Sequence, residues 1–199
     1  LAQSDIWLFG SNGTGFVKNS QLDFSGGGAP VLTKDVAPIT LYESITTQSS
    51  GGALSWWSNG HDVYDRTQSI MPNGSGLTGP QGSAKASASQ GASSFPFPNS
   101  TTKFVLVTSG AVDGSSGNGY RWSEIDMNLP GNGTVGSPLG DVTGNKDLLM
   151  TPVGMQTTEM MSVYAVSCNE YWLIGHELGG DRFISIKFTS SGAAAPVYS

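Results

Sequence analysis

The chain has 199 residues, 37% hydrophobic and only 12% charged, with 28 glycines and a net charge of -6. That length suits one large all-β domain, and so few charges suit strands joined by turns better than helices, whose surfaces need Glu, Lys and Arg. Nine scattered Lys and Arg argue against a nucleic-acid partner, and no apolar run of about 18 residues is present to span a membrane as a helix.

The opening LAQSDIW resembles the end of a signal peptide followed by a mature start, so secretion is expected. The first strand is predicted at 6–10 (IWLFG), pairing with a late strand or with another chain. Strands at 53–57 (ALSWW) and 61–65 (HDVYD) form a hairpin through SNGH, because Asn-Gly takes positive φ at low cost. Trp56 and Trp57 are neighbours on that hairpin, so strand alternation places one in the core and leaves the other exposed or in an interface. The tail MPNGSGLTG reads as a turn-rich connection and lacks the Gly-Lys-Ser/Thr of a phosphate loop. Residues 80–101 are loop-like, with a short edge strand in ASSFPFP, where proline removes no ladder donor.

Further strands are predicted at 103–109, 119–127, 147–151, 161–166, 170–177 and 182–188. Gly-Gly in LGGD makes 170–188 a second hairpin, and the longer loop SGAVDGSSGN joins 103–109 to 119–127. These two hairpins resemble one another at a spacing of roughly 60 to 65 residues, longer than the blade period of a propeller unless insertions supply the difference. The single Cys168 excludes an internal disulfide and a cysteine-based zinc site; its setting reads as a semi-buried small apolar residue at a strand end. Sequons at Asn12, Asn73, Asn99 and Asn132 are expected by chance in so Asn-, Ser- and Thr-rich a chain.

Blocks of the sequence occur in a familiar order. GGALSWWSNGHDVYDRTQSIMPNGSGLTG resembles G-N-L-L-F-Y-T-D-G-x-x-V-Y-N-x-x-x-x-x-M-P-N-G-x-G-L-x-G, found near the N-terminus of large secreted Bacteroidota proteins. Those proteins often end in a type IX secretion, gliding-motility-associated sorting domain. IWLFGSNGTGFV with QLDF, YRWSEIDMNLPGNG, GDVTGNKDLLMTP and EYWLIGHELGGDRFISIKFTSSG resemble further blocks of that family in sequence. The resemblance implies an all-β fold of antiparallel, blade-like sheets, β-propeller-like and incomplete in 199 residues, without known catalytic residues and displayed outside the cell or on its surface. This sequence departs from the family in the strand around Ser55, Trp56 and Trp57, in the apolar-poor stretch 80–101, and in having no sorting domain.

The residues themselves bear on several chemistries. GHELGGD has one histidine of a zincin pair, and Gly179 with Gly180 would break the helix that the pair requires. His61, Asp62, Asp65, His176 and Glu177 all fall near hairpin mouths, where they read either as solvated turn residues or, if the mouths meet, as a metal or acid-base cluster. Ser-His-Asp catalysis has no G-x-S-x-G elbow to support it. No cofactor is expected; a structural calcium ion is the alternative at 113–119 (DGSSGNG), which lacks the D-x-D-x-D-G ligand series. Trp57, His61, Asp62, His176 and Glu177 are the candidate ligand-binding residues, Trp57 as an aromatic platform for a sugar.

The expected function is therefore a non-enzymatic extracellular surface or structural protein for display, adhesion or assembly. A carbohydrate-binding module is the second reading and a metal-dependent hydrolase the third. Partners are other protein chains, through self-association or a larger assembly, with a glycan as a further candidate. The 182–199 region or the N-terminal strand is expected to present an open sheet edge to a neighbouring protein.

Overall fold

The structure, a computed structural model, describes residues 5–10, 19–34, 45–79, 88, 90–112 and 119–199. The calcium candidate at 113–119, apart from Gly119, and the sequon at Asn12 lie outside the described residues. All the described elements are strands, and they form four antiparallel sheets that follow one another along the chain.

The first sheet contains Ile6–Gly10 (β1), Asn19–Asp23 (β2) and Val31–Lys34 (β3) in the order β1-β2-β3. IWLFG therefore pairs with its immediate successor, Trp7 opposite Leu22, and not with a late strand. The polar NSQLD of β2 hid that partner from a reading based on apolar runs.

The second sheet is Thr46–Ser50 (β4), Ala53–Ser58 (β5) and Val63–Asp65 (β6), in the order β4-β5-β6. The predicted 53–65 hairpin is present, although His61 and Asp62 belong to its turn. Ser58 Oγ donates to Asp62 O at 2.8 Å and Asn59 Oδ1 accepts from the His61 and Asp62 amides, so the turn is held by its own polar side chains. Gly60 has φ 83°, and its carbonyl oxygen lies 1.9 Å from where a Cβ on Gly79 would stand, so both glycines are needed for the close approach.

The third sheet contains Ala92–Pro96 (β7), Lys103–Thr108 (β8), Arg121–Asp126 (β9) and Asp141–Val142 (β10), with Leu148–Leu149 (β11) also paired to β9. As predicted from ASSFPFP, β7 is an edge strand, bonded only to β8. The fourth sheet contains Thr157–Ser167 (β12), Glu170–Glu177 (β13), Phe183–Thr189 (β14) and Gly192–Ala193 (β15), with Val197–Tyr198 (β16) also on β14. The hairpins 103–127 and 170–188 occupy equivalent places, as second and third strands of their sheets. Because β14 is paired on both sides, the 182–199 region does not present FISIKF as an open edge.

Successive sheets pack face to face. Leu8 of the first sheet meets Trp57 and Tyr64 of the second. On the other face of the second sheet, Trp56 and Val63 meet Leu106 and Ile125 of the third. The opposite face of the third, with Val105, Val107 and Trp122, meets Leu173, Ile184 and Phe188 of the fourth. Trp56 and Trp57 do point to opposite faces, yet both are 0% exposed, because β5 is covered on both sides. The expectation that one of them is left outside the core is thus corrected.

A bulge in β12 sets the register of the last sheet. The β12–β13 pairing slips between Thr157 and Met161, and the buried Tyr120 hydroxyl fills the gap. It lies 3.1 Å from both the Thr158 and Met160 carbonyls and accepts from the His176 amide at 3.2 Å. Burial raises the Tyr120 pKa more than these bonds lower it, so the group stays a neutral hydroxyl. Gly175 is required beneath it: a Cβ there would sit 2.1 Å from the Tyr120 oxygen.

Candidate functional site

The five candidate residues divide into three separate places. Trp57 is fully buried and stacks on Tyr64 with ring centroids 4.0 Å apart, and its indole N–H donates to Gln68 Oε1 at 2.7 Å. It has no free face for a sugar. Burial, reinforced by the Asp62 charge, pushes the Tyr64 pKa up to about 12, as expected for a phenol inside a core.

His61 and Asp62 pair with each other in the β5–β6 turn, Nδ1 to Oδ2 at 3.1 Å. His176 stands at the end of β13 with Nδ1 2.7 Å from the Glu177 carbonyl and its ring edge-on to Phe183. The Glu177 carboxylate is taken by Arg182 in a two-bond fork of 2.7 and 2.8 Å, which lowers its pKa. Among the described residues no three His, Cys, Asp or Glu side chains gather as a metal would need. His61 with Asp62, and Glu177 with Arg182, are each engaged as local pairs.

Asp65 is not a hairpin-mouth acid either. It is fully buried and accepts from Thr67 N at 2.7 Å, Thr67 Oγ1 at 2.6 Å and Asn132 Nδ2 at 2.8 Å. Burial alone would raise its pKa, but the hydrogen bonds from Thr67, Asn132 and Ser69 outweigh it, and the net shift is downward. Cys168 is exposed in the β12–β13 turn, its Sγ donating to Asn169 Oδ1 at 3.0 Å, and not semi-buried.

Three polar segments build a clasp between the second and third sheets. Asn73 of MPNG donates its side-chain amide to the Val142 and Thr143 carbonyls at 2.9 and 3.1 Å, and its backbone N–H to Asp141 Oδ1 at 2.9 Å. Lys146 returns the contact, reaching Ser75 O at 2.8 Å and Asn73 Oδ1 at 3.3 Å. Thr78 donates its amide to Asp147 Oδ1 at 3.0 Å and its hydroxyl to Asp147 Oδ2. Asn132 of NLPGNG spans Asp65 and the Ile70 carbonyl. HDVYDRTQSIMPNGSGLTG, NLPGNG and GDVTGNKD therefore interlock the second sheet with the third. The amide nitrogens of Asn73 and Asn132 are occupied by this clasp, which makes both sequons structural.

The feature that sequence reasoning missed is a cleft of about 780 Å³ among the first strands of all four sheets. Each of β1, β4, β7 and β12 is the edge strand of its sheet, and each lies beside the next: β1 against β4, β4 against β7, β7 against β12. Hydroxyl side chains bridge the first two of these junctions, β1 to β4 and β4 to β7. Thr47 Oγ1 donates to Ile6 O at 2.6 Å, Thr46 Oγ1 and Ser94 Oγ share a bond of 2.6 Å, and Gln48 Nε2 donates to Ser94 Oγ at 2.9 Å. Trp7 and Phe9 from β1 and Tyr164 from β12 also line the cleft, and they are 41%, 42% and 64% exposed. TTQSS of β4 carries no apolar run, so nothing in its sequence marked it as a strand.

The first and last sheets each turn an apolar face outward. On the last, Met160, Tyr164, Ile174 and Phe183 are exposed and alternate with the buried Met161, Leu173 and Ile184. A groove of about 410 Å³ there is lined by Met160, Ile174, His176 and Phe183, among others. On the first, Trp7, Phe9 and Leu32 are exposed while Ile6 and Leu8 are buried.

These features define an all-β protein of consecutive antiparallel sheets with a shared cleft at their first strands. Compared with known proteins, the chain matches no family model, no curated protein and no solved structure.

Proposed function

We propose that this is a non-enzymatic extracellular surface or structural protein whose sheets are successive blades of a propeller-like arrangement, and that it works in an assembly. The observation that carries the reading is the outward apolar face at each end of the series of sheets, with Met160, Ile174 and Phe183 at one end and Leu32 at the other. Interior sheets have apolar residues on both faces and both are covered, so an end face of the same character fits another sheet. Exposed apolar patches of this kind mark protein contacts. The edge-to-edge placement of β1, β4, β7 and β12 around one cleft supports the blade arrangement, since propeller blades meet at their innermost strands.

The ordered blocks resembling secreted Bacteroidota proteins support an extracellular location and a surface role, as does the hydroxyl- and glycine-rich, charge-poor composition. Among the described residues no helix is long and apolar enough to cross a membrane. The site chemistry favours this reading over a hydrolase, because the acidic and histidine side chains singled out above are engaged in turns, pairs and the clasp.

Light scattering of the purified chain tests the assembly. Concentration-dependent association that is abolished by Ile174→Glu supports it. A chain that stays monomeric at micromolar concentration, with or without the substitution, refutes it. Surface labelling of intact cells of the native host, followed by fractionation, checks the location.

A further inference from the structure

We infer that the cleft between β1, β4, β7 and β12 is a binding site for a neutral saccharide. Three observations lead there, and none depends on the assembly proposed above. The first is size: about 780 Å³ falls in the range of pockets that hold small ligands and is ample for a few sugar rings. The second is charge. The described lining residues include no Asp, Glu, Lys, Arg or His, so among them there is neither a counter-ion for a phosphate or carboxylate nor a ligand set for a cation. The third is the kind of uncharged group present. Thr46, Gln48 and Ser94 supply hydroxyl and amide groups that both donate and accept, as sugar hydroxyls do. Trp7, Phe9 and Tyr164 supply exposed aromatic surface against which the C–H face of a pyranose packs.

The polar groups are held in place before any ligand arrives. Ser94 Oγ is fixed by Thr46 Oγ1 at 2.6 Å and Gln48 Nε2 at 2.9 Å, so β4 and β7 present them as one unit. Trp7 is braced by Phe24, ring centroids 5.0 Å apart, which keeps the indole from collapsing into the cleft. Preorganisation of this kind lowers the entropy cost of binding. The saccharide platform thus lies at Trp7 and Tyr164, and not at the buried Trp57.

The test is calorimetric titration of the 199-residue chain with neutral hexasaccharides (maltohexaose, cellohexaose, chitohexaose and mannohexaose). Oligogalacturonate and a heparin hexasaccharide serve as anionic comparators. The expected result is saturable binding of at least one neutral sugar, with quenching or a shift of tryptophan fluorescence and no binding of the anionic pair. Trp7→Ala and Tyr164→Ala should each weaken binding by about tenfold, and Ser94→Ala by less, with unchanged circular dichroism. Because Tyr164 is on the surface, its substitution keeps the test decisive if Trp7→Ala fails to fold. Absence of saturable binding across the neutral panel, preference for the anionic sugars, or affinity unaltered by Tyr164→Ala would each overturn the inference.

Discussion

The second and fourth sheets are built from similar aromatic-rich strands but meet different surroundings. In the second, adjacent Trp56 and Trp57 are both fully buried, because the first sheet covers one face and the third covers the other. In the fourth, Tyr171 is buried while Tyr164 is 64% exposed, because among the described residues only one face packs against another sheet. The same alternation therefore gives two cores in one sheet and a core with an open apolar face in the other. Aromatic content does not by itself separate a core strand from a contact surface. What covers the second face does.

Substitutions should break this comparison most sharply at the tryptophans. Trp56→Ala and Trp57→Ala are each expected to cost about 3 to 5 kcal/mol in urea unfolding, whereas Tyr164→Ala should cost less than about 1 kcal/mol. Comparable losses at all three positions would mean that the fourth sheet is covered as thoroughly as the second.

Within the fourth sheet, Gly175→Ala tests the packed face. The added Cβ meets the buried Tyr120 ring, which is locked by the β12 bulge, so a loss of about 1 to 3 kcal/mol is expected. Tyr120→Phe removes only the hydroxyl that bridges the bulge and should cost about 1 kcal/mol, read as a lower urea midpoint.

Asp65 sharpens the comparison from the polar side, because of these two sheets only the second has a buried carboxylate among the described residues. Its folded pKa is depressed, so its stabilising contribution is present in full above the unfolded value of about 3.9 and is lost as pH falls through the folded value. Asp65→Asn is expected to lower stability at neutral pH and to flatten the acid limb of a stability-versus-pH curve. An acid limb identical to that of the unsubstituted protein would show that other carboxylates carry it.

The smallest effect on stability is expected at the open face itself. Ile174→Glu should change the unfolding free energy measured in urea by less than about 0.5 kcal/mol while abolishing self-association in light scattering. A large drop in stability would instead place Ile174 inside the fold of the single chain.

Much of this fold was legible in the sequence. Alternating apolar strands bounded by Gly, Asn and Pro identified β1, β5, β8, β9, β13 and β14, and Asn-Gly and Gly-Gly identified the two hairpin turns, because local sterics and side-chain periodicity act over a few residues. Of the strands that escaped, NSQLD of β2 and TTQSS of β4 are polar, and pairing with a richer neighbour makes them strands where their own pattern does not; VLTK of β3 and DV of β10 are too short to show a pattern at all. The candidate site was less legible. The conspicuous residues, His61, Asp62, His176 and Glu177, are turn and rim groups satisfied by their neighbours. The cleft instead gathers Trp7, Thr46, Ser94 and Tyr164 from four sheets. The sequence by itself determined that the chain forms antiparallel strands and tight turns, since those depend on neighbours along the chain. Only the tertiary structure decided which faces are buried, that the polar blocks join into a clasp, and that four unremarkable edge strands share a cleft, since these depend on how whole sheets pack against one another.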